Sequence, residues 1–208
     1  MARTADSFRR REPRFQQQAT VLVICEDLQS SKVYLEDAAV HFRSHAKIEI
    51  MHCGVTHPKG IVEYAIERQK KFDKVFCAID RDTHESFDEA IRLSKAHDKI
   101  TIIASYPCFE YWLLLHFGYT RKPYSRSGKH SAGDLVGADL RTKPGMADYA
   151  KSGLKGYFKM LAGERFENAR KHAPRSLQDA IKSNDRNPST EIHLLMDEFE
   201  AISKPAKL

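Results

Sequence analysis

No apolar run in the 208 residues approaches the length needed to span a bilayer. The opening Met1-Ala2-Arg3 leads into polar sequence instead of a signal peptide, so the expected place is the cytoplasm, with no membrane partner. No pair of cysteines stands in a C-x-x-C spacing. The four present (Cys25, Cys53, Cys77 and Cys108) therefore do not build a zinc ribbon. Three of them sit in or at the ends of apolar, strand-like runs, as small hydrophobes do in a reducing compartment. There is no internal repeat. Residues 1–18 have little to bury and carry Arg3, Arg9, Arg10, Arg11 and Arg14. They read as a flexible basic arm, either a solvated tail or a contact for nucleic acid.

What is present suffices for one core. The apolar fraction of 41% and charged fraction of 30% are those of an ordinary globular chain. Its length gives one domain, or one domain with a helical extension. The net charge of +6 permits an acidic partner without requiring one.

The central stretch is Val75-Phe76-Cys77-Ala78-Ile79-Asp80-Arg81-Asp82. A short apolar run that stops at two carboxylates reads as a strand of a parallel sheet, covered on both faces, with its acids at the carboxyl end. Like charges at i and i+2 repel unless a cation or proton lies between them. Asp80 and Asp82 thus either cap a following helix or hold a divalent metal. Ala19–Cys25 reads as another buried strand, ending at Glu26-Asp27, and Lys47–Cys53 as a more alternating one. Lys99–Ser105 completes a set of four strands, with helices expected at about 30–44, 59–68, 85–96 and 109–117. Alternation of this kind gives a mainly parallel α/β sheet with right-handed crossovers. Beyond Gly118 the chain reads as a long basic loop over 118–145, then helices at 147–162, 164–182 and 189–202. The expected units are the arm 1–18, an α/β core 19–117, the loop 118–145 and a C-terminal helical extension 146–208.

If the first and third strands are neighbours, about 5 Å apart, Glu26, Asp80 and Asp82 meet at one edge. Oxygen donors suit Mg²⁺ or Mn²⁺ better than zinc, and such ions orient a phosphodiester and activate water. Phosphatases and receiver domains of related architecture place a nucleophilic Asp directly after the first strand. The Glu26 found here is a poorer candidate for that chemistry. The helix at 109–117 is apolar nearly all round, so its one charge, Glu110, needs either the metal or a cationic side chain such as Arg81 or Lys151 as partner. His116 reads as a buried histidine before a catalyst, Trp112 as core, and Lys151 as either a surface lysine or a stabiliser of a pentavalent phosphate. The basic residues Arg121, Lys122, Arg126 and Lys129 are candidates for phosphate contacts.

The acids after strands one and three resemble the Toprim domain. Cys25-Glu26, Asp80-Arg81-Asp82, the run Ser105-Tyr106-Pro107-Cys108-Phe109-Glu110-Tyr111-Trp112-Leu113-Leu114-Leu115-His116-Phe117 and Asn187-Pro188-Ser189-Thr190 together resemble the RloB-like family over roughly residues 20–200. The chain departs from that pattern after Glu26, where Asp27-Leu28-Gln29-Ser30-Ser31 replaces a Gly-x-x-Thr-Glu-like run. The resemblance implies a Toprim-like Rossmannoid fold and Mg²⁺- or Mn²⁺-dependent nuclease chemistry through Glu26, Asp80, Asp82, Glu110 and Lys151. It further implies a bacterial anti-phage or restriction-linked setting and an ABC/AAA-type ATPase partner. RNA, including tRNA, stands ahead of DNA as substrate, and self-association into a homo-oligomer stays open. The alternative function is a non-catalytic partner or sensor for the ATPase. An intact set of mutually repelling acids favours the enzyme, because a scaffold has no need of it.

Overall fold

The computed structural model describes residues 19–44, 47–81, 84–150 and 157–204. Asp82, Lys151 and the basic arm lie outside these.

The order of elements is β1 (Val21–Cys25), α1 (Ser31–His41), β2 (Ile48–His52), α2 (Pro58–Arg68), β3 (Lys74–Asp80), α3 (Phe87–Ser94), β4 (Ile100–Tyr106), α4 (Glu110–Leu115), α5 (Ala132–Arg141), α6 (Tyr157–Leu161), α7 (Glu164–Lys182), β5 (Ser189–Thr190) and α8 (Ile192–Ser203). The sheet runs β2-β1-β3-β4-β5. The first four strands are parallel and β5 is antiparallel to β4.

Every residue of β1 is buried, as its uninterrupted apolar sequence requires of a central strand with both faces covered. The pleat divides its side chains. Val21, Val23 and Cys25 enter one core with Phe76, Ala78 and Ile103. Leu22 and Ile24 enter the other with Val75, Cys77 and Ile79. Residues of α2 and α3 cover the second core. The first is covered by α1 and α4 together with residues of α5 to α8, so these later helices share one buried interior with the early part of the chain.

Three expectations need correction. The sheet has five strands, not four, because Ser189–Thr190 pairs with the end of β4 before α8 begins. The Ser105 and Thr190 hydroxyls meet at 3.0 Å. Glu191 extends the pairing beyond the strand: its N–H donates to Ala104 O at 2.9 Å, and its carboxylate accepts the Ala104 N–H at 3.0 Å. Second, residues 118–145 are not all loop. Ser131 and Asp134 cap α5 reciprocally, the serine hydroxyl accepting the Asp134 N–H and the aspartate accepting the Ser131 N–H. Third, the helix expected over 147–162 is confined to Tyr157–Leu161 among the described residues, and 147–150 are not helical.

Candidate active site

Strands β1 and β3 are neighbours, with Cys25 level with Ala78, so Glu26 and Asp80 leave the sheet side by side. The Glu26 N–H donates to Ala78 O at 3.1 Å, continuing the ladder one residue past the strand. Its side chain turns across β3: Oε2 accepts the Asp80 N–H at 2.8 Å, and Oε1 lies 2.9 Å from His84 Nε2. Burial drives the Glu26 pKa up, while the Asp80 N–H and His84 pull against it.

Asp27 has different work. Its carboxylate accepts the Gln29 N–H at 2.9 Å and the Ser31 N–H at 3.0 Å, and also the Ser30 N–H. It serves the start of α1, which Ser30 does not cap with its own side chain.

Two clefts open at this carboxyl edge. The first, of about 400 Å³, is lined by Glu26, Asp27, Asp80 and Asp134 together with His52 and Cys108. No lysine or arginine belongs to its described lining. His52 Nδ1 lies 3.1 Å from Cys25 O; a carbonyl only accepts, so Nδ1 is the donor of this bond. The second cleft, of about 460 Å³, is lined by Arg81, Arg126, Lys129, Tyr106, Tyr124 and Asn187, among others. Ser131 lines both clefts, and they abut along Pro107-Cys108 and Ala132-Gly133, one residue of each pair in each.

The family model described as RloB-like protein matches residues 21–199. The chain belongs to the RloB-like family. No curated protein and no solved structure matches it.

In this RloB-like chain the run from Pro107 to Phe117 forms the turn after β4 and the whole of α4, whose six residues are all buried. The Tyr106–Pro107 peptide is cis, and the helix starts at Glu110, so Pro107 precedes its first turn and does not occupy it. Glu110 is fully buried, and its Oε1 accepts the Tyr149 hydroxyl at 2.9 Å. It does not line the acidic cleft. Its partner Tyr149 is buried as well.

His116 is core. Its Nδ1 donates to Trp112 O at 3.0 Å and its Nε2 accepts the Tyr34 hydroxyl at 3.0 Å. Burial lowers its pKa to about 4. Trp112 is likewise fully buried, as the sequence suggested.

The four basic candidates separate into two pairs. Arg121 donates to the carbonyls of Pro188 and Asp185 and to Ser183 Oγ, tying the segment after α4 to the turn before β5. Lys122 pairs with Asp139 at 2.6 Å. Arg126 and Lys129 line the basic cleft.

The sequence reading gave no site role to His52, His84, Tyr106, Tyr124 or Asn187, although Tyr106 and Asn187 stand in runs that carry the family resemblance. His84 left a signal too, as a titratable residue four positions beyond Asp80 on the exit from β3. Among the described residues no group of three or more His, Cys, Asp or Glu is gathered closely enough to hold a metal ion. Glu26 and Asp80 fit a hard cation by donor type but not by number. Asp82, which would be the third donor, is outside the described residues.

Proposed function

We propose that this protein is a Toprim-like, Mg²⁺- or Mn²⁺-dependent nuclease. On this reading it cleaves RNA, tRNA included, or DNA as the effector of a bacterial anti-phage system linked to an ABC/AAA-type ATPase. One observation carries the reading: the carboxylates that end β1 and β3 share a cleft whose described lining is acidic, directly beside a basic one. Desolvated carboxylates at such an edge are costly unless a cation joins them.

Glu26, Asp80 and Asp82 would hold the ion. When bound, it would stabilise charge developing on the phosphate and acidify a water. Backbone and histidine contacts fix the Glu26 carboxylate before any ion arrives, which lowers the cost of organising the site. His84 guards the same carboxylate, so ion binding competes with its contact to Glu26 Oε1. Glu110 is assigned the positioning of Tyr149, whose hydroxyl it accepts at 2.9 Å. Lys151, two residues beyond Tyr149, is assigned to phosphate stabilisation on sequence alone.

The test compares wild type with Asp80→Asn on single-stranded RNA, tRNA and plasmid, with Mg²⁺ or Mn²⁺ against EDTA. Cleavage by wild type in metal only, with activity lost at least a hundredfold in the variant, is the expected result. Calorimetry should show Mn²⁺ binding weakened at least tenfold, and the ion should raise the wild-type melting temperature, because it binds only the folded state. Cleavage that persists in EDTA would sink the reading. Metal binding without cleavage on any substrate would leave the ATPase-partner function in its place.

A further inference from the structure

The basic cleft has properties that the acidic one does not explain. Arg126 and Lys129 belong to a tight hairpin in which Ser127 and His130 exchange both backbone hydrogen bonds at 3.0 Å. Gly128 has a φ of +58°, a left-handed conformation that turns the chain within two residues. Neither cation has a carboxylate partner among the described residues, whereas nearby Lys122 is paired with Asp139. Arg81 is held from behind: it donates one N–H to His84 O at 3.0 Å and lies 5.2 Å from the centre of the Phe87 ring. Among the described residues its guanidinium makes this one hydrogen bond. Three cations therefore converge on one cleft with no acid in its described lining.

The other wall is aromatic. The Tyr106 ring is set edge-on against Phe87 at 5.5 Å and is half-buried. The hydroxyl of Tyr124 donates to Asp139 at 2.8 Å, which fixes its ring. Asn187 spends its side chain on the Tyr124 backbone, donating to the carbonyl at 2.6 Å and accepting the N–H at 3.3 Å. These two contacts orient its amide against the Tyr124 backbone. A space of about 460 Å³ admits one extruded nucleotide but not a helical base pair.

We propose that this cleft receives a single unpaired nucleotide of the nucleic-acid substrate. Its phosphate lies against Arg81, Arg126 and Lys129, and its base lies beside Tyr106. It is the neighbour of the nucleotide at the acidic cleft, since the two clefts share a wall. This inference rests on the nuclease reading for its orientation but not for its binding. Stacking on a ring makes the recognition tolerant of sequence. The substrate is consequently cut in loops or other single-stranded segments.

Fluorescence anisotropy in EDTA separates binding from cleavage. The probes are a labelled single-stranded RNA of ten nucleotides, the same strand fully paired, and a mononucleotide. The single strand should bind at least tenfold more tightly than the duplex, and more tightly than the mononucleotide. Replacing Arg126→Gln and Lys129→Gln together should weaken single-strand binding at least tenfold. The slope of log K against log salt should fall by about 1.4, two contacts at about 0.7 each. Tyr106→Ala should cost roughly tenfold at a nearly unchanged salt slope. Unchanged affinity in the double variant, tighter binding of the duplex, or tighter binding of the mononucleotide overturns the proposal. If wild type never cleaves but the double variant loses binding, the cleft stands and the nuclease reading falls. If Asp80→Asn abolishes cleavage while the double variant binds and cuts as wild type, the reverse holds.

Discussion

Single residues in this protein divide sharply between those that face the edge clefts and those sealed beneath them. His116 is the clearest sealed case. Its folded-state pKa of about 4 lies below the ordinary value near 6.5, so the folded state favours the neutral ring. Stability from this source is complete above pH 6.5 and is lost as the pH falls from about 6.5 to 4, by about 3 kcal/mol in all. Urea unfolding between pH 7 and 4 should show that loss, and His116→Gln should flatten this part of the profile. A variant with the same slope as wild type would place the titration elsewhere. Glu110 is the second case. Glu110→Gln keeps the volume but turns one carboxyl oxygen into an amide donor beside the Tyr149 hydroxyl, so it should lower stability by about 1 kcal/mol. Equal denaturation midpoints for the two proteins would deny the contact any net worth.

At the scale of elements, four strands could be read from their apolar residues. β1 is apolar throughout, β3 is apolar between Lys74 and Asp80, β4 is mostly apolar around Thr101 and Ser105, and β2 alternates at Ile48-Glu49-Ile50; a charged or broken sequence ends β1, β3 and β4. Glu26 and Asp80 were legible for the same reason: they are the residues at which recognisable strands stop. β5 was not legible, because two residues of Ser-Thr carry no periodicity and pair only through tertiary placement. α5 was hidden by Gly133 and Gly137, although Ser131-x-x-Asp134 is a start signal, with Val136 and Leu140 one turn apart on the buried side. The role of Arg121 was hidden in the same way. Its lysine- and arginine-rich surroundings suggested phosphate, whereas its partners lie more than sixty residues away and are two backbone carbonyls and a serine hydroxyl. Arg121→Ala should therefore lower the unfolding free energy by about 2 kcal/mol, while single-strand affinity changes far less than in the Arg126 and Lys129 double variant. A large loss of affinity at unchanged stability would return Arg121 to the nucleic-acid surface.

For the molecule as a whole, no helix among the described residues is long and apolar enough to cross a membrane. The basic cleft draws on the exits of β3 and β4, the hairpin before α5 and the turn before β5, so it exists only once distant parts of the chain have met. The same holds for the outer side of β4, with a consequence in time. Ser105 and its partner Thr190 are 85 residues apart, which at about 5–20 residues per second separates their synthesis by roughly 4–17 s. For that interval the nascent chain presents β4 with a row of backbone groups awaiting a neighbour, the condition under which strands pair with the wrong chain. The two-residue strand that leaves no trace in the sequence pattern is thus the one that decides when the growing sheet is closed.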